Sequence, residues 1–223
     1  MSSQLVVLLH LCDSLFPTGS FSHSDGLEAA TSQGRVASAD DLRAWIDVAL
    51  TESLGRTDGP AVARAWAAFD AASDDLLASL DDELWALRVS ATGREASRAM
   101  GTRLLRTWQT LRPDVRLERL VAWRAAWTLP VAFGIAASVS AIEQRAAVEG
   151  FMYTRLASIV SAAMRLMAIG QAEGHRLLAE ALGRVPALAE RAMSSAQPIG
   201  AFTPALDLAL MSHQYTHSRL FRS

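Results

Sequence analysis

Apolar residues recur along this chain with the period of an α-helix, and no stretch alternates apolar and polar residues over a strand's length between turn signals. That restricts the chain to an all-α fold. The pattern is cleanest from Ser38 to Leu54, where Leu42, Trp45, Ile46, Ala49 and Leu50 stand at offsets of 0, 3, 4, 7 and 8 and share one face. Ser38 followed by Asp41 reads as a capping box, and Gly55 as the end of that helix. A second helix starts at Pro60 and buries Val62, Trp66 and Phe69, and a third follows Ser73–Asp75 with Leu76, Leu77, Leu80 and Leu84. Met100, Leu104, Trp108 and Leu111 form the next stripe, stopped by Pro113, and Leu117, Leu120, Val121, Arg124 and Trp127 continue beyond it with a mixed face. Ser140 with Glu143 reads as a second capping box, heading a helical stretch to Met167 that Gly150 divides. Shorter helices are expected over about 171–182, 186–193 and 204–211. Stripes this wide predict one domain, residues 1–223, built as a bundle of about eight to ten helices.

Composition narrows the function. The chain of 223 residues is 51% hydrophobic and 20% charged, enough to bury a sizeable core. Its net charge of -2 lacks the basic footprint of nucleic-acid binding. All 21 basic residues are arginine, so no Schiff-base or P-loop lysine exists. A single cysteine, Cys12, permits neither an internal disulfide nor a cysteine-rich zinc site and suits the cytoplasm. The apolar run Leu5–Leu11 has no basic residue before it and Asp13 soon after, so it reads as mature structure rather than a leader. Ala125–Ile142 carries no charge over 18 residues, but Pro130, Gly134 and several hydroxyls interrupt it, and it reads as a core helix rather than a membrane span.

Candidate chemistry is sparse. His213 and His217 have the spacing of a zinc-protease pair, but Gln214 stands where a general-base glutamate is needed. His10, Cys12 and Asp13 point in different directions on a helix and read as packing. Ser22, His23, Ser24 and Asp25 are too close together to form a triad. Met152, Met164 and Met167 read as core, and Arg88, Arg94, Arg98, Arg103 and Arg106 as a solvated helix face able to meet an acidic partner. We therefore expect no catalytic residue, no metal and no cofactor. An enzyme using the histidine pair or Cys12 is the reading this disfavours.

The end of the chain is unusual: Leu220 and Phe221 lie between Arg219 and Arg222 at a terminus. Such side chains either dock on their own fold or anchor another protein, and we read them as a partner anchor on a mobile tail over 212–223.

The run Leu8–Ala30 resembles the N-terminal signature of the UreF family, in which an apolar helix leads to a Pro-x-Gly turn, an aromatic residue, small residues and Gly-Leu-Glu. Here these are Pro17, Gly19, Phe21, His23, Ser24, Gly26, Leu27 and Glu28. Leu129–Ala137, Met164–Leu178 and Ser218–Ser223 resemble further blocks of the family in the same order. Ser20, Gln214 and His217 depart from its usual glycine, glutamate and aromatic residue. The resemblance implies a UreF-like fold and a homodimeric urease accessory protein. It would bridge UreD (UreH) and the GTPase UreG for nickel insertion into apo-urease. By family position, Phe21 and Arg219 are candidates for recruiting the GTPase. His23, Ser218, Leu220, Phe221 and Arg222 complete the expected partner-binding set, and Pro17, Gly19, Gly26, Leu27 and Glu28 are structural. The alternative is a protein that activates or regulates the GTPase with an arginine.

Overall fold

The computed structural model describes the backbone of residues 2–194, 197–216 and 220–222. The helices are α1 (Ser2–Leu11), α2 (Leu27–Ser32), α3 (Ala39–Val48), α4 (Gly59–Asp70), α5 (Asp74–Leu87), α6 (Ala91–Leu111) and α7 (Val115–Trp123). They continue with α8 (Leu129–Val139), α9 (Gln144–Leu166), α10 (Gln171–Leu182), α11 (Val185–Ser194) and α12 (Pro204–Ser212). Short 3-10 turns occupy Ser20–Ser22 and His213–Tyr215, and a π-helical stretch, Ala49–Asp58, joins α3 to α4. No strand occurs among the described residues, as the periodicity predicts.

The charge-free segment forms the middle of the bundle. Every residue of α8 from Leu129 to Ser138 is buried, which explains why no position there tolerates a charge. Helices α4, α6 and α9 surround it. Small residues set these approaches: a Cβ on Gly134 would stand 2.6 Å from the Val62 carbonyl oxygen of α4. No helix among the described residues is long and apolar enough to cross a membrane.

Local chemistry explains several boundaries. The Ser38 hydroxyl accepts from Asp41 N at 3.1 Å while the Asp41 carboxylate accepts from Ser38 N at 2.9 Å, completing the expected box at the start of α3. Asp114 caps α7 with its side chain alone, accepting from Arg116 N at 2.8 Å.

Other expectations are corrected. The helix does not end at Gly55. The coil widens instead, with Gly59 N donating to the Leu54 carbonyl, and continues into α4. Pro60 lacks the N–H that would reach the Arg56 carbonyl in an α-helix, and Gly200 N donates to that oxygen at 3.4 Å. Ser140 does not cap α9. Its hydroxyl accepts from Trp108 Nε1 at 3.0 Å. Gly150 does not divide α9, and its missing side chain admits Leu8 and Cys12 of the α1 region. Leu76 and Leu111 are exposed rather than buried.

Most of the arginine face is paired rather than simply solvated, while Arg106 is exposed as expected. Arg88 bonds Asp58 at 2.8 Å, Arg94 donates to the Arg88 carbonyl at 2.7 Å, and Arg98 lies 3.7 Å from the centre of the Trp85 ring.

Candidate interaction site

After α1 the chain reverses through a turn dense in small residues. Asp13 accepts from Leu15 N at 2.9 Å, and Gly19 adopts a left-handed conformation with φ 81°. Arg103 of α6 donates to the Thr18 carbonyl at 2.8 Å, fastening the turn to the bundle. The Ser22 hydroxyl donates to the Gly19 carbonyl at 2.7 Å and closes the 3-10 turn that carries Phe21. Asp25 and Gly26 then take positive φ, 52° and 84°, and Arg155 of α9 forms an ion pair with Asp25. Gly26 is required on a second count, since a Cβ there would stand 2.8 Å from Leu210 N of α12.

That close packing of α2 on α12 brings Glu28 to the end of the chain. Glu28 is buried, and three donors converge on its carboxylate: His213 Nε2 at 2.7 Å, Leu220 N at 2.5 Å and Phe221 N at 3.2 Å. Because the oxygens only accept, Nε2 carries the imidazole hydrogen. Arg222 N donates to the Ser22 carbonyl at 2.7 Å, tying the chain end to the turn. The Phe221 ring is buried with the Arg165 guanidinium 4.0 Å from its centre. Burial pulls the Arg165 pKa below its usual value, opposed by the charge of Glu28. Burial likewise lowers the pKa of His23. Asp25 opposes this, while Arg155, Arg222 and Arg103 add to it.

The structure thus brings Gly19, His23, Gly26, Glu28, Phe221 and Arg222 together, with Leu220 and Arg222 exposed and Pro17 at the surface of the turn. Leu27 is fully buried beside Glu28. His217, Ser218 and Arg219 lie outside the described residues. Beside the turn, Cys12, Phe16, Tyr153 and Arg165 line a cleft of about 300 Å³. Burial pushes the Cys12 thiol up to about 12. Among the described residues no three His, Cys, Asp or Glu side chains group as a metal site.

Sequence reading missed the part that His213 plays. Its pairing with Glu28 spans 185 positions, and no local spacing encodes it. Arg155 and Arg165, ten apart on α9, gave no signal either.

The result is a protein, helical throughout its described elements, in which the turn after the first helix meets the C-terminal segment, with exposed Leu220 and Arg222 beside a buried carboxylate. The family model described as UreF matches residues 36–182, the helices between those ends. Relatives extend the match over nearly the whole chain. The urease accessory protein UreF of Azoarcus sp. (strain BH72) is 35% identical, covering 98% of this chain and 95% of its own. That of Dechloromonas aromatica (strain RCB) is 33% identical over 99% and 98%. The Bacillus sp. (strain TB-90) protein of the same name is 30% identical over 99% and 100%. The chain belongs to the UreF family of urease accessory proteins.

Proposed function

We propose that this chain is a non-catalytic scaffold of urease maturation, acting as one helical domain over residues 1–223. It bridges UreD (UreH) and the GTPase UreG so that nickel is inserted into apo-urease, and it works as a homodimer in the cytoplasm. Nickel is cargo of the assembly, and the GTPase brings the nucleotide site that a chain without lysine lacks.

The observation that carries this reading is the joining of the turn bearing Phe21 to the chain end through the Ser22–Arg222 and Glu28 contacts. Phe21, His23, Ser218, Arg219, Leu220, Phe221 and Arg222 then form one partner face. UreD binding stabilises the arrangement in which Leu220 and Phe221 are docked on Glu28, and the completed face recruits UreG.

The test is reconstitution. The full chain mixed with UreD and UreG should co-elute as one assembly, and a chain lacking Arg219–Ser223 should retain its helical content while losing UreG. Undiminished assembly by the truncated chain refutes the reading. The exposed Arg222 guanidinium favours one second role, activation or regulation of the GTPase. GTP turnover by UreG with and without this chain separates the two, since a pure scaffold leaves the rate unchanged.

A further inference from the structure

A buried carboxylate is stable only where donors satisfy it, and those around Glu28 come from one region of the chain. Two of the three, Leu220 N and Phe221 N, belong to the last residues of the sequence. With the chain end released, Glu28 would keep His213 and lose two hydrogen bonds inside the fold. Among the described residues, two successive backbone amides of the tail are thus held by one side chain. The geometry around it is preset: Ser24 Oγ accepts from Glu28 N at 3.4 Å, and Gly26 lets α2 lie against α12. The buried Phe221 ring, with the Arg165 guanidinium 4.0 Å from its centre, adds an apolar seat next to the clasped backbone.

We infer that Glu28 is the clasp that positions the C-terminal segment, and hence a positioning residue for the partner face. This rests on the scaffold reading above for its functional half alone. Occupied, the clasp draws Arg222 onto the Ser22 carbonyl and fixes the turn that carries Phe21. Vacant, it leaves both ends of the face unset.

Amide hydrogen exchange on the full chain tests the clasp directly. In the natural protein the Leu220 and Phe221 amides should be protected despite their closeness to the chain end. Exchange at the rate of an unstructured peptide overturns the proposal without any variant. Glu28→Gln keeps the shape but turns an amide donor towards donors. The same two amides should then exchange about ten-fold faster or more, while those of α8 keep their protection. Unchanged protection in E28Q overturns the clasp. UreG recruitment in the presence of UreD should fall about ten-fold in parallel. If protection is lost but recruitment holds, the clasp stands and the scaffold reading's use of the tail falls.

Discussion

Gly101 of α6 lies directly beneath the carbonyl of Trp127, so close that a Cβ would overlap the oxygen and press on the Thr128 backbone. The obstacle is backbone at the entrance to the central helix and cannot swing aside. Gly101→Ala should destabilise the fold by about 3 kcal/mol, read from urea unfolding followed by circular dichroism.

The Asp81 carboxylate has no exposed surface, accepts from Thr128 N at 2.6 Å, and is bonded by Arg124 at 2.9 Å. Removing it strands a buried N–H and frees a guanidinium that Asp82 only partly retains. Asp81→Ala is expected to cost about 3 kcal/mol, and the same unfolding measurement decides it.

Gly26→Ala meets two obstacles, a left-handed φ of 84° and the Leu210 backbone nitrogen. Strain alone costs about 1 kcal/mol, and the clash pushes α12 from α2, moving His213 from Glu28. The expected outcome is a modest fall in melting temperature with a disproportionate loss of UreG recruitment. Recruitment equal to that of the natural chain at matched stability contradicts it.

The thiol of Cys12 should be nearly inert. With its pKa raised by burial to about 12, the native chain should react with a thiol reagent at pH 8 about a thousand-fold more slowly than the chain in denaturant. Because the folded value lies above the unfolded one of about 8.5, the stability from the neutral thiol is complete below that pH and is lost as pH rises towards about 12. Cys12→Ser should flatten the alkaline decline.

At the start of α3, the N–H groups of Ala37 and Ser38 and the Ser38 hydroxyl hold the Asp41 carboxyl below the usual carboxylate range. Its contribution is therefore present above the unfolded value and lost as pH falls through the folded one. Ser38→Ala should cost about 1 kcal/mol at neutral pH and should reduce the loss on acidification.

Much of this architecture was legible in residues because helices announce themselves locally. The stripe at Leu42, Trp45 and Ile46, the Ser38–Asp41 box and the charge-free run of α8 each depend on neighbours within a turn or two. Boundaries set by distant chain were not legible. Gly55 resembles a stop until Gly200 is known to serve the Arg56 carbonyl, and Ser140 resembles a cap until Trp108 claims its hydroxyl. At the candidate site the Gly-Leu-Glu motif was visible, but its purpose was not, since the partners of Glu28 lie 185 to 193 positions away.

The widened coil from Ala49 to Asp58 has a geometric consequence for the helix beyond it. Each residue that it absorbs shifts the phase of α4 by about 100° relative to an unbroken α-helix running on from α3. Val62 and Ala65 meet Gly134 of the central helix because of that rotation. The coil thus sets the azimuth of α4, and shortening it by one residue would turn an apolar face from the middle of the protein towards water.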